Sequence, residues 1–352
     1  MTSARRNPQP KIPSDLLIGI IIALAVTVIP SIVRHSLDKH LYESGIESYK
    51  MANCNAAVEQ FNQIISAFRL TDSGNYASRA EEKKAECRFF EDGVKLQKEG
   101  KYESALLSYS KVAVYNDSAL LAPTREKLSE LFQKAKVESL ATENVCNRIG
   151  ILNSSNLLPK QNSNLPLLYP TCGKIYEANK RYEQAISIYN QFLHSFPDHP
   201  LKLDIQRSLA RTTVADIKGR GARKTKPLLR TGTTVDGSTV VDIQNTSPAK
   251  MEITFSGTTP KFGEIEICTD CIEYISKGPE ICPGKGPIER YTLEPGKYDI
   301  AVKFTTRSGN LAYPWTATWS LEQGGEYKTC FVIVQDLVDE SNKKEKEEQN
   351  SL

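Results

Sequence analysis

The sequence predicts a multidomain protein with three parts: a single N-terminal transmembrane helix, an all-α helical repeat domain and an all-β antiparallel sandwich. Three observations predict this order. Residues 16–33 form an uncharged apolar run, residues 36–217 place apolar residues at helical spacing, and residues 238–336 alternate with period two between turn-forming breaks. A chain of 352 residues has room for two or three such domains.

The apolar run at 16–33 is close to the roughly 20 residues that cross a bilayer. A cleaved signal peptide is the alternative, because Ala23, Leu24 and Ala25 resemble a cleavage site, but the run continues well beyond them. We therefore expect an uncleaved signal-anchor helix in contact with the lipid bilayer. Three basic residues precede the run and two follow it, which favours a membrane protein whose bulk is extracytoplasmic.

The two ends and one internal segment are polar. Residues 1–15 and 337–352 lack apolar periodicity and are predicted to be disordered tails. Residues 218–237 are predicted to be a basic linker, since 218–230 hold six basic residues and no acidic one; contact with anionic lipid or a nucleic-acid backbone is the alternative. The net charge is only +3, so no nucleic acid partner is expected.

A glycine and an alanine recur twelve residues apart at three places in the helical region, and an aromatic residue follows each alanine by four. In an antiparallel helix pair, small residues let the two backbones approach and large residues one turn on fill the remaining gaps. One pair cannot bury its face alone, so we expect pairs to stack. The three sets are Gly45, Ala57 and Phe61; Gly93, Ala105 and Tyr109; and Gly173, Ala185 and Tyr189.

This pattern resembles the tetratricopeptide repeat. The spacing between glycines departs from that family, being 48 and then 80 residues instead of about 34 or a multiple of it, and an unrelated helical bundle is the alternative. The resemblance implies a groove that binds a peptide or partner protein, with consensus residues that pack and do no chemistry. The third unit matches most fully, through Tyr169, Gly173, Tyr176, Ala185, Tyr189, Phe192 and Pro197.

Four cysteines lie in the β-domain: Cys268, Cys271, Cys282 and Cys330. They could form two disulfides, hold a structural zinc, or include a redox pair at Cys268 and Cys271. Zinc lacks a second C-x2-C, and the redox pair lacks a βαβ context. We expect two disulfides that pin a loop poor in apolar residues, with Cys271–Cys282 and Cys268–Cys330 preferred among three pairings.

Four more cysteines lie on the predicted helices. Cys54 could bridge to Cys87, and Cys146 to Cys172. The alternative is that each packs as a buried free thiol.

The sequence contains no recognised catalytic arrangement. None of the four histidines has a suitable neighbour, and the glycines at 284–286 lack a phosphate-loop pattern. We therefore expect no enzyme, cofactor or metal, and a membrane-anchored scaffold at the cell envelope that binds proteins or peptides. One alternative is a surface module whose sandwich binds glycan or peptide through Tyr313, Trp315 and Trp319; a more distant one is a thiol–disulfide oxidoreductase.

Overall fold

The computed structural model describes residues 14–66, 74–159, 163–225, 228–275, 277–305 and 311–335, with side chains for all of these except 14–31, 311–313 and 335. The predicted disordered tails lie outside the described residues, apart from Ser14 and Asp15, which begin the first helix. The chain divides into two compact units, residues 1–165 and 166–352.

Three of the described helices, all between the second and third glycine–alanine sets, have four to six residues, and the others have eleven or more. Their bounds are α1 (Ser14–Lys50), α2 (Cys54–Ile65), α3 (Tyr76–Lys98), α4 (Tyr102–Val112), α5 (Leu121–Lys134), α6 (Val137–Leu140), α7 (Glu143–Cys146), α8 (Ile149–Ser154), α9 (Leu165–Ala178), α10 (Tyr182–Ser195) and α11 (Lys202–Gly219).

The predicted single transmembrane helix at 16–33 is wrong. These residues begin helix α1, which continues without interruption to Lys50 and carries Gly45 of the first repeat. Within the part of the chain that the structure describes, no helix has the length and apolar character needed to cross a bilayer. The sequence pattern marks an apolar run but not the end of its helix, and the membrane anchor and the lipid partner that depended on it are not supported.

The first unit is built from consecutive helix pairs. Helix α1 packs on α2, α3 packs on α4, and α2 also packs on α3. The disulfide Cys54–Cys87 joins α2 to α3 across the two pairs. Helices α5 to α8 follow the second pair, with Leu128, Phe132 and Leu152 fully buried. Each pair therefore buries part of its surface against the next, as expected for stacked repeats.

The second unit combines the third helix pair, helix α11 and a β-sandwich. The region 238–336, which alternates with period two in the sequence, is built from strands. The strands are β1 (Arg223–Lys224), β2 (Arg230–Thr233), β3 (Thr239–Asn245), β4 (Lys250–Ser256), β5 (Lys261–Ile265), β6 (Tyr274–Ile275), β7 (Ile288–Leu293), β8 (Gly296–Thr305), β9 (Leu311–Leu321), β10 (Gly325–Phe331) and β11 (Val334–Gln335).

The strands form one sheet in the order β1-β9-β8-β4-β5, a second in the order β2-β10-β3-β7, and a small pair β11-β6. The predicted all-antiparallel arrangement is wrong, because β1 pairs with β9, β3 with β10 and β6 with β11 in parallel. Each parallel pair joins strands that are distant in sequence, so no hairpin imposes an antiparallel direction. The sheets are therefore mixed.

The sandwich core contains alternate residues of both sheets, including Ile243, Phe255 and Trp319. Helix α11 covers the opposite face of the five-stranded sheet, where Val214 and Ile217 pack against Ala301 of β8. This sheet is therefore buried on two sides. Ala301 is nearly inaccessible for this reason, although it lies on the face of β8 opposite the sandwich core.

Candidate interaction sites

In all three helix pairs the aromatic residue of the second helix lies against the glycine of the first. The pairs of residues are Phe61 with Gly45, Tyr109 with Gly93, and Tyr189 with Gly173; a Cβ added at any of these glycines would come closer than 3.0 Å to ring atoms. The alanines Ala57, Ala105 and Ala185 are fully buried in the same second helices. The repeated spacing therefore follows from ring-on-backbone packing, which only glycine allows.

In two of the helix pairs the residue four positions after the glycine is polar and accepts a hydrogen bond from the tyrosine that packs on that glycine. Tyr109 donates its hydroxyl hydrogen to Gln97 Oε1 at 2.8 Å, and Tyr189 donates to Glu177 Oε1 at 2.7 Å. Burial, followed by the hydrogen bond to Glu177, raises the pKa of Tyr189. This position was not predicted from the sequence, although both the second and the third set carry a polar residue four positions after the glycine.

Substituting Gly173 by alanine tests this packing, because the expected effect on stability is opposite in sign to the effect in an exposed helix. In an exposed helix, Gly→Ala stabilises by about 1 kcal/mol. At Gly173 the added methyl group would displace the buried Tyr189 ring, so we expect Gly173→Ala to lower the free energy of unfolding by about 1–3 kcal/mol. Urea denaturation followed by circular dichroism measures the change.

The matched control is Gly219→Ala at the last residue of α11, where nothing lies within 4 Å of the added Cβ. That variant should be neutral or slightly stabilised. A gain in stability at both positions would show that the Tyr189 ring does not require the glycine.

In the first pair a buried network replaces the tyrosine–acceptor contact. Phe61 has no hydroxyl, and Tyr49 occupies the position four residues after Gly45. The Tyr49 hydroxyl donates to Glu86 of α3 and lies 2.8 Å from Ser118 Oγ, while the Ala119 amide donates to it at 3.1 Å. Glu86 is fully buried and also accepts from Lys83 Nζ at 2.7 Å. This network ties α1 to α3 and to the turn before α5.

Two cations of α3 lie on aromatic rings of α1 beside this network. The Arg79 guanidinium is 4.5 Å from the centre of the Tyr42 ring, and Lys83 Nζ is 5.3 Å from the centre of the Tyr49 ring. Arg79 is exposed, whereas Tyr42 is buried. The surface where α1 and α3 meet, defined by these four residues and called the α1/α3 surface below, therefore presents the exposed Arg79 charge on an aromatic ring, while the Lys83 charge is paired with buried Glu86.

The remaining predicted repeat residues lie in the third pair. Tyr176 is buried in α9 under the guanidinium of Arg181, which is 4.9 Å from its ring centre. Pro197 is exposed in the turn that follows α10. Tyr176 thus packs within the helix pair, while Pro197 marks the end of α10, in keeping with the inability of proline to continue a helix.

The disulfides predicted in the β-domain are confirmed, but their pairing is different. Cys268 bonds to Cys271 and Cys282 bonds to Cys330, in place of the preferred Cys271–Cys282 and Cys268–Cys330. The C-x2-C segment folds into a tight turn that brings its two Cα atoms to 5.3 Å, a separation that sequence spacing alone does not reveal. All eight cysteines are disulfide-bonded.

The two β-domain bridges differ in how much chain they restrain. In the chain-entropy account, closing the loop of about four residues at Cys268–Cys271 contributes roughly 2 kcal/mol, against roughly 4 kcal/mol for the loop of about 49 residues at Cys282–Cys330. The second bridge fastens the segment between β5 and β7 to strand β10. Among the described residues, no group of three or more His, Cys, Asp or Glu is placed to hold a metal.

Asn245 organises the base of this disulfide-bonded segment. It is fully buried at the end of β3, and its Nδ2 donates to the carbonyls of Ala249 and Glu266, each at 2.8 Å, and of Ile265 at 3.4 Å. Its Oδ1 accepts from the amide of Ser247 at 3.1 Å and the hydroxyl of Ser247 at 2.7 Å. One side chain therefore joins the ends of β3 and β5 to the start of β4.

Three of the six basic residues in 218–230 form ion pairs with acidic residues of their own unit. Arg220 pairs with Asp216 and Glu183, Lys218 with Asp299, and Arg230 with Glu322. The segment also contributes β1 and β2, so it joins both sheets rather than forming a solvated linker. These ion pairs occupy basic side chains that would otherwise be available to bind an anionic lipid or a nucleic-acid backbone.

Of the aromatic residues suggested for a glycan site, the two whose side chains are described, Trp315 and Trp319, are not exposed. Trp319 lies in the sandwich core. Trp315 is partly buried, donates from Nε1 to the Val332 carbonyl at 3.0 Å, and carries the Arg223 guanidinium 5.9 Å from its ring centre. The side chain of Tyr313 lies outside the described residues.

Comparison with known proteins gives no family for this chain. No protein-family model matches the sequence, and no curated protein matches it. Two solved structures of nearly identical TPR-like repeats of a kinesin light chain from Podosopora anserina, the second a single-substitution variant, are 16% and 15% identical to this chain. Each match covers 52% of this chain and 88% of the other, with a TM-score of 0.18. A likeness with so low a TM-score carries no argument about the fold of this chain.

Proposed function

We propose that this protein is an interaction scaffold whose helical repeats bind a protein or peptide partner. The observation that carries the proposal is the ring-on-glycine packing repeated in three helix pairs. Stacked pairs of this kind hold neighbouring first helices at a fixed spacing and create an extended surface along them. No catalytic residue is assigned in this proposal.

The α1/α3 surface is the part of the scaffold that we propose contacts the partner. The Tyr42 and Tyr49 rings fix the positions of Arg79 and Lys83, so little side-chain entropy remains to be lost when a ligand binds. A positive surface with aromatic support suits a peptide that carries acidic residues. We further propose that the scaffold works in an oxidising compartment, since its cysteines form disulfides.

Selection from a random peptide library on the full-length protein tests the proposal. We expect an enriched group of peptides with acidic residues whose saturable binding weakens about tenfold when Arg79→Ser and Lys83→Ser are combined. Lys83 also donates to Glu86, so circular dichroism must first show that the variant keeps its helices. Arg79→Ser alone, which leaves Glu86 its donor, should weaken binding in the same direction.

The control is Glu59→Ser on the exposed side of α2, within the same helix pairs. It should leave peptide binding unchanged. Failure to enrich any peptide, or equal losses for the Glu59 and Arg79 variants, would contradict a binding site on the α1/α3 surface.

A further inference from the structure

The Cys268–Cys271 disulfide is not needed to hold the segment in which it lies. The Cys268 amide donates to the Ser247 carbonyl at 3.0 Å, and the Tyr274 amide donates to the Ile333 carbonyl at 2.9 Å. Farther along, the Cys282–Cys330 bridge fastens the segment to β10. Contacts on both sides of the C-x2-C turn therefore remain if its own bridge opens.

The two sulfurs of this bridge are unequally accessible. Cys268 is 4% exposed, whereas Cys271 is partly exposed. A cleft of about 310 Å³ is lined by Cys268 and not by Cys271, and Thr269, Asp270 and Lys285 are among its other lining residues. A thiolate approaching from solvent would meet the more exposed Cys271 sulfur, and the electrons of the broken bond would leave on Cys268, at the wall of the cleft.

The lining of the cleft includes both a cation and an anion. The Lys285 ammonium favours a thiolate formed in the cleft, and Asp270 opposes it while accepting a hydrogen bond from Thr269 at 3.2 Å. The backbone of Gly286 passes close to Cys268, where a side chain at 286 would meet the Asn245 carbonyl and the Cys268 sulfur. The glycine thus leaves room for the sulfur at the wall of the cleft.

The segment that carries the bridge exposes several apolar side chains. Ile272, Ile275 and Ile281 are 66%, 64% and 84% exposed, all within the segment that carries the two disulfides. A small charged thiol would gain little from these side chains, whereas an extended apolar protein segment could cover them. The class of thiol that fits this surface is therefore a cysteine pair in a protein.

We propose that Cys268–Cys271 is a thiol–disulfide exchange site that oxidises a protein dithiol. One partner thiolate attacks Cys271 Sγ, the Cys268–Cys271 bond breaks, and Cys268 Sγ leaves as a thiolate that takes up a proton. The second partner thiol loses its proton and attacks the partner sulfur of the mixed disulfide, the bond from that sulfur to Cys271 Sγ breaks, and Cys271 Sγ leaves as a thiolate that takes up a proton. The partner gains a disulfide, Cys268 and Cys271 become two thiols, and one pair of electrons has moved.

Selective reduction of the full-length protein is the first test. The protein is equilibrated in graded dithiothreitol buffers, free thiols are alkylated, and each cysteine is quantified by mass spectrometry. We expect Cys268 and Cys271 to be alkylated while Cys54–Cys87 and Cys282–Cys330 stay bonded and the circular dichroism stays native. Loss of Cys268–Cys271 only together with the other bridges, on unfolding, would overturn the proposal.

Transfer to a dithiol is the second test. The probe is a reduced synthetic peptide with two cysteines two residues apart, flanked by leucines, and the product is one peptide disulfide per protein chain. We expect the double variant Ile272→Ser, Ile281→Ser to slow peptide oxidation about tenfold while leaving reduction by dithiothreitol unchanged. Val235→Ser, at an exposed position in the turn between β2 and β3, should have no effect.

Single cysteine variants identify the sulfur that is attacked. Cys268→Ala leaves the accessible Cys271 thiol, and Cys271→Ala leaves the buried Cys268 thiol. The first should react with an aromatic disulfide reagent about tenfold faster or more. Equal rates in the two folded variants, or peptide oxidation no faster than that of a Cys268→Ala variant, would overturn the assignment of Cys271. If neither cysteine variant folds, the selective reduction of the unaltered chain still decides the proposal.

Discussion

The variant Ala185→Glu is expected to unfold the third helix pair. Ala185 is fully buried in α10, one turn before the Tyr189 ring that packs on Gly173. A carboxylate there would need either an unpaired buried charge or separation of the two helices, and we expect a loss of about 3 kcal/mol or more in the free energy of unfolding. Far-ultraviolet circular dichroism during urea denaturation of the full chain measures the loss.

The matched control is Ala178→Glu, at the exposed end of α9 in the same helix pair. The chemical change is identical, but the new carboxylate remains in water, so the midpoint should stay near that of the unaltered protein. If Ala185→Glu and Ala178→Glu denatured at the same urea concentration, close packing at Ala185 would be refuted.

The helix pairs were predictable because their constraint is local. Gly173, Ala185 and Tyr189 meet within 17 residues of chain, so the requirement for a small residue opposite a ring appears directly as sequence spacing. The same locality explains strands β4 and β8, in which core residues recur at every second position, as Met251, Ile253 and Phe255 do in β4.

Features fixed by distant contacts were not predictable in this way. Strands β1, β2 and β6 have two to four residues, too few for alternation to show. The direction of β10 beside β3 depends on the path of the whole sandwich, and the cysteine pairing depends on a turn whose conformation the C-x2-C spacing leaves open. The prediction of a transmembrane helix at 16–33 was wrong for a related reason. The composition of an apolar run does not show where its helix ends, and this helix extends to Lys50.

The α1/α3 surface shows the same limit within the candidate site. The sequence does not distinguish Arg79 and Lys83 from other basic residues on a helix, because their aromatic partners lie on a different helix, 37 and 34 residues earlier. The proposal that they bind a partner depends on the positions of Tyr42 and Tyr49 beneath them. Long-range partners, and not residue types, therefore define this surface.

The variant Asn245→Asp is expected to destabilise the sandwich strongly although the side chain keeps its shape. The amide nitrogen that donates to the carbonyls of Ala249, Ile265 and Glu266 becomes a carboxylate oxygen facing three acceptors. Removing these hydrogen bonds and burying a charge should cost about 3 kcal/mol or more. Both tryptophans of the chain, Trp315 and Trp319, belong to the sandwich, so their fluorescence during urea denaturation reports on this domain.

The pH dependence separates this mechanism from a general loss of packing. Burial beside carbonyl oxygens favours the protonated form of the introduced carboxyl, so its pKa should be higher in the folded than in the unfolded protein. The folded state then binds more protons, and its stability relative to the unaltered protein falls as pH rises through the titration range of the carboxyl and recovers in acid. The exposed substitution Asn190→Asp on α10 should show neither the loss nor this dependence. A deficit for Asn245→Asp that is the same at acidic and neutral pH would indicate that the donor role of Asn245 is not what stabilises the strand ends.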